Sequence, residues 1–138
     1  MTPGFKIAIP TGNERVFQGM GKGEWDVFVS AQKGYDKVHF TGNVGARIPN
    51  DFHDQTVQLH YSGQVDYWFC RWFIPFADIN AFTTVSNGKS LGVSSEGFNL
   101  VNFGATHASG KTQAAAGVGF RSRILSNADL GFSYERGI

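Results

Sequence analysis

Polar and apolar residues alternate along most of this chain. The clearest run is "TVQLHYSGQVDYW", Thr56 to Trp68. Val57, Leu59, Tyr61, Gly63, Val65 and Tyr67 fall on one side of an extended chain, and Gln58, His60, Ser62, Gln64 and Asp66 on the other. A period of two marks a strand whose two faces meet different surroundings. Soluble strands usually run about 5–6 residues, and this run is about twice as long.

The same period recurs before and after it. "GFKIAIP" puts Phe5, Ile7 and Ile9 on one face; "WDVFVSAQK" does so with Trp25, Val27, Val29 and Ala31; "VHFTGNVGARI" with Val38, Phe40, Val44, Ala46 and Ile48. Further along, "WFIPFADINAFTT", "FNLVNFGATH", "QAAAGVGFRSR" and "ADLGFSYER" complete about eight expected strands. Pro75 removes one ladder donor and marks a strand start, bulge or edge. "GKTQAAAGV" would be cut short as a helix by "GVGF", and no amphipathic helix separates the strands. The chain therefore reads as all-β, an antiparallel up-and-down meander in one domain spanning 1–138. Long loops and short turns alternate between strands, until the short "LSN" link breaks the rhythm.

Composition sharpens this picture. Eighteen glycines and 13 phenylalanines against 4 prolines suit sheet, where glycine permits bends and close strand approach. A formal net charge of +1 with interspersed signs speaks against a nucleic-acid partner. Cys70 stands alone, so no disulfide within the chain and no cysteine-based zinc site follow. No apolar run is long enough for a spanning helix.

A two-faced meander fits two architectures. A soluble barrel points its apolar face inward, whereas a membrane barrel turns it to lipid and keeps a polar lumen. Three features favour the membrane. Several stretches reach the ~9–11 residues that a tilted strand needs to cross a bilayer. Trp25, Tyr61, Tyr67, Trp68, Trp72 and Tyr134 are expected at strand ends, where aromatic rings suit the headgroup boundary. The polar face is rich in Gln, Asn, Ser, Thr and His rather than in the dense charge of a soluble exterior.

Three segments carry a family resemblance. "GFKIAIPTGN", with Pro10, Thr11 and Gly12, resembles the strand-to-loop signature of the meta-pathway phenol-degradation outer-membrane family. "WFIPFADINAF" is similar to a later strand of that family, in which an acidic residue and an Asn point inward, matching Asp78 and Asn80. "GVGFRSRILSNADLGFSYERGI" resembles its closing hairpin. The resemblance implies a bacterial outer-membrane barrel that carries small molecules, hydrophobic and aromatic ones included, with lipid as its surroundings. The chain departs from the pattern at both ends. "MTPGFKIAIPTG" lacks the regions of a signal peptide, and Ile138 stands where such barrels end in an aromatic residue. The expectation is a piece of a larger barrel, without the signal peptide and terminal strand or strands.

Lys6, Asp26, His39, Arg47, His60, Asp66, Asp78, Asn80, Arg121 and Glu135 are the residues expected to line the interior. Charges there can pair across the lumen and plug it, or set its selectivity. Other motifs carry less. "ASGKT" lacks the first glycine of a phosphate loop, because Ala105 stands there. "GMGKG" has no helix to follow it. His39 and His60 lie on neighbouring strands but lack a third metal ligand at the same depth, and Asp66 falls too far along its strand. "DFHD", Asp51 to Asp54, reads as a solvated loop. Neither a nucleophile–base arrangement nor a carboxylate pair is legible, so no enzyme activity and no cofactor are expected. The competing readings are a soluble barrel holding a ligand in an apolar cavity, and a structural outer-membrane barrel without transport.

Overall fold

The computed structural model describes residues 1–9, 11, 22–98 and 101–138. It contains one antiparallel sheet whose strand order follows chain order. The strands are β1 (Thr2–Ala8), β2 (Glu24–Tyr35), β3 (Val38–Pro49), β4 (Gln58–Tyr67), β5 (Ile74–Thr84), β6 (Thr112–Leu125) and β7 (Ala128–Gly137). The sheet is open: β1 and β7 are its edges, and no Cα of one lies within 8 Å of a Cα of the other. Pro3 is tolerated because β1 is an edge, and Pro75 because it stands second in β5.

Seven strands are present among the described residues, where the alternation suggested about eight. The described residues of the stretch 98–107, Phe98 and 101–107, form no strand. They lie in the long β5–β6 connection, with only the isolated bridges Leu91–Ala105 and Gly97–Val101. The local chemistry explains why. The Glu96 carboxylate accepts the N–H groups of Phe103 (2.6 Å) and Ala105 (2.7 Å), which a ladder would otherwise have used. The Asn102 amide is likewise bound to Thr56, accepting from its N–H (3.1 Å) and donating to its carbonyl (2.8 Å). Gly104 is left-handed (φ 61°), and a Cβ there would collide with the Asp54 carbonyl.

With that stretch moved into a loop, the connections sort by end. β2–β3, β4–β5 and β6–β7 join at one end through short turns. β1–β2, β3–β4 and β5–β6 join at the other through long loops. The "LSN" link is thus an ordinary turn. The β2–β3 turn uses Asp36, whose short polar side chain accepts a left-handed φ of 51°. Pro10, Gly12 to Gly21, Asn99 and Leu100 lie outside the described residues, and with them part of the first loop, of "GMGKG" and of the Pro-Thr-Gly signature.

The register sorts side chains into two faces, and their burial is inverted relative to a water-soluble sheet. The polar face is the covered one: Gln58 is 1%, Asp26 6% and Asp66 7% exposed. The apolar face is open: Phe5 is 69%, Val118 61% and Val44 57% exposed. Among the described residues, the buried apolar side chains are only Ile74, Ala81, Phe82, Ala105 and Ala108. The sheet curves around its polar side, where residues from both edges, Lys6 of β1 and Glu135 of β7, line one cavity of about 480 Å³.

Aromatic residues gather at the turn end of the open face. Tyr35, Val38 and Tyr67 follow one another in register across β2 to β4, and Pro75, Phe120 and Phe132 across β5 to β7. Phe73 packs against Phe120 (5.7 Å between ring centres), and Phe120 against Phe132 (5.5 Å). Arg71 stacks on Trp72 and donates to the Ile124 carbonyl (3.1 Å), which ties the β4–β5 turn to β6. Trp25 stands second in β2 and Tyr67 closes β4, near strand ends as expected, and Trp68 and Trp72 lie in the turn. Tyr61 and Tyr134 instead fall inside their strands.

Candidate functional site

The concave face is a stack of cross-strand rows, each produced by the period of two in neighbouring strands. Nearest the loops stand Ala8, Glu24 and Pro49, and the row after them holds Lys6, Asp26, Arg47, Gln58 and Thr84. The next holds Phe28, Gly45, His60, Phe82 and Gln113. Below it runs Ser30, Asn43, Ser62 and Asn80, then Gln32, Thr41, Gln64, Asp78 and, across Gly117, Glu135. His39, Asp66 and Phe76 follow, then Ile74 and Arg121. Basic groups thus gather toward the two ends, and amides and hydroxyls fill the middle together with the carboxylates Asp78 and Glu135. All ten residues expected inside stand on this face.

The ionic groups form two separate clusters. At the loop end the His60 ring reaches over β3 to Asp26, with Nε2 2.8 Å from Oδ1. Gly45 makes that reach possible, because a Cβ there would stand 2.5 Å from His60 Nε2. Lys6 Nζ lies 3.9 Å from the other Asp26 oxygen. At the turn end Asp66 is shared: His39 Nδ1 lies 3.0 Å from one oxygen, and Arg121 donates to the other at 3.1 Å. The Arg121 guanidinium lies over the Phe76 ring, 5.6 Å from its centre, and Arg123 stacks on Trp68 and bonds to Asp129.

His39 and His60 therefore do not meet; each has its own carboxylate. Asp66, expected too far along its strand, stands directly opposite His39. Among the described residues no group of three His, Cys, Asp or Glu side chains could hold a metal ion. Asp78 and Glu135 flank Gly117 from either side and lean over it. The buried Asp78 Oδ1 has no hydrogen-bond partner among the described residues. Asn80 lines the 480 Å³ cavity beside Glu135.

Sequence reasoning missed the loop contribution. Phe98, taken as the start of a strand, sits at the concave mouth. Its ring lies 4.8 Å from that of Phe82, and its backbone is left-handed (φ 56°). That conformation costs a non-glycine residue roughly 1–2 kcal/mol, which the ring contact helps to offset. Glu96 holds the loop from inside, and Gln113 of β6 donates to the Glu96 carbonyl at 2.7 Å. Glu96 stood in the sequence at the end of a polar stretch, just before an expected strand, with no periodic signal to mark it as buried.

The remaining motifs are structural. "DFHD" is closed by Lys22, which pairs with Asp51 and lies 3.9 Å from Asp54 Oδ2. Asp51 also accepts the N–H of His53, and together these contacts hold its carboxyl below the usual aspartate range, the Lys22 bond contributing most. "ASGKT" is a turn into β6, in which Gly110 (φ 79°) donates to the Thr84 carbonyl. Comparison of the chain with protein-family models, with curated proteins and with solved structures found no match.

Proposed function

We propose that this sheet is the wall of a bacterial outer-membrane β-barrel, or of part of one, and that its concave face lines a water-filled passage for small molecules. The protein would act without catalysis, with lipid on its convex face. The observation that carries this reading is the inverted burial: polar and charged side chains are covered, and large apolar ones are open across the sheet. Each large apolar side chain left in water forgoes about 1.5–3 kcal/mol. Summed over the face, even at half that value, the loss rivals the ~5–15 kcal/mol net stability of a domain. Lipid removes that cost, and the aromatic row at the turn end suits the boundary between acyl chains and headgroups. Strands of 10 to 14 residues from β2 to β7 suit a tilted crossing. The resemblance to the meta-pathway phenol-degradation family makes hydrophobic and aromatic solutes the first class to try.

The test is refolding from urea with and without detergent micelles, followed by far-UV circular dichroism and by gel mobility before and after boiling. The reading expects β-structure only in micelles and a heat-dependent mobility shift, then solute flux in liposomes. A monodisperse β-protein in plain buffer would overturn it in favour of a soluble ligand-binding barrel. Folding in micelles without flux would leave a structural barrel.

A further inference from the structure

The β5–β6 connection does not simply hang over the end of the sheet. It places one ring, that of Phe98, against Phe82 on the concave face, in the row of His60 and Gln113. Phe82 is itself fixed from two sides. The Arg47 guanidinium lies 4.9 Å from its ring centre, and the His60 ring 5.8 Å. The loop is held on both sides of the contact. Before it, Gln113 Nε2 donates to the Glu96 carbonyl; after it, the Glu96 carboxylate takes the N–H groups of Phe103 and Ala105. Phe98 lines the same cavity as Lys6, Asn80 and Glu135. A ring anchored in this way stands in part of the entrance.

We infer that the Phe82–Phe98 pair sets the size limit for entry from the loop end, with Phe98 the specificity-determining residue. The inference rests on the reading of the concave face as a solute passage. Solutes that clear the pair meet the hydroxyl and amide row of Ser30, Asn43, Ser62 and Asn80. Larger ones are turned back above it. Both rings are apolar, so the limit acts on bulk rather than on charge.

A thiol reporter below the pair tests this. In a Cys70→Ser background, Asn80→Cys places the reporter one row beneath Phe82. The protein folded in micelles is labelled with a small methanethiosulfonate and, separately, with a bulky maleimide dye. Phe98→Ala should speed the bulky reagent several-fold and leave the small one nearly unchanged. Phe98→Trp should slow the bulky reagent. Phe98→Leu keeps an apolar contact for the loop and should give an intermediate rate. A bulky-to-small rate ratio that is the same for all four residues would overturn the inference. Liposome flux reports separately on the passage itself. Flux with an unchanged ratio overturns the size limit alone, whereas a Phe98-dependent ratio without flux supports the size limit at the entrance and overturns transport.

Discussion

At the residue scale, the concave face depends on side chains that share space closely. His60 reaches Asp26 only because position 45 has no Cβ. Gly45→Val would drive the ring off that carboxylate and press on the Val27 carbonyl as well. Overpacking of this kind costs about 1–3 kcal/mol, and urea unfolding of the micelle-bound protein should show a loss in that range; an unchanged midpoint would deny the contact. Asp51 gives a pH prediction. Its folded pKa lies below the ordinary aspartate value, so its contribution is complete above that value. The contribution is lost as pH falls from the ordinary value through the lowered one. The His53 amide donates to Asp51 at 2.9 Å, so its NMR shift should titrate with a midpoint below the ordinary aspartate range. A midpoint at or above that range would contradict the Lys22–Asp51 contact.

At the element scale, the two faces of each strand should respond to charge in opposite ways. Val44 and Asn43 are neighbours near the middle of β3 and point to opposite faces. Val44→Arg should cost about 2–4 kcal/mol at the bilayer midplane, and Asn43→Arg far less, as measured by unfolding from lipid vesicles. Leu59 is a weaker test than its sequence suggests, because it is the second residue of β4 at the loop end. The β5–β6 connection gives a second prediction. Glu96→Ala leaves the N–H groups of Phe103 and Ala105 without their acceptor, at a cost of about 1–3 kcal/mol for each buried group left unpaired. Limited proteolysis should then cut this loop while the strands stay intact; an uncut loop would show that other contacts hold it.

The strands were legible in the sequence because a period of two is a local signal and survives wherever the faces differ. From Trp25 to Thr84 the alternation located four strands and placed Asp26, Arg47, His60 and Asp78 on one face. The stretch 98–107 failed for a physical reason. Its sequence alternates, but the N–H groups of Phe103 and Ala105 go to the Glu96 carboxylate and the Asn102 amide goes to Thr56, side-chain contacts that periodicity does not carry. The ionic clusters were legible as a face but not as pairs. His60 skips a strand to reach Asp26, and only the register and the absent Cβ of Gly45 reveal it.

At the scale of the whole molecule, an antiparallel meander of seven strands leaves β1 and β7 running in the same direction at the two edges. Their outer N–H and C=O groups have no ladder partner among the described residues, and open edges are not tolerated in hydrocarbon. In a membrane, both edges must therefore be paired or covered by protein. On the proposed reading the convex face meets lipid and the concave face meets water. Nitroxide labels placed one at a time at positions 40 to 44 and 46 of β3, in vesicles and in a Cys70→Ser background, test this most directly, position 45 being left out because a Cβ there would strike His60. Collision rates are then measured with oxygen, which partitions into lipid, and with a water-soluble nickel chelate. Strict alternation is expected: oxygen-accessible at 40, 42, 44 and 46, nickel-accessible at 41 and 43. The opposite phase, or nickel access at every position, would contradict it.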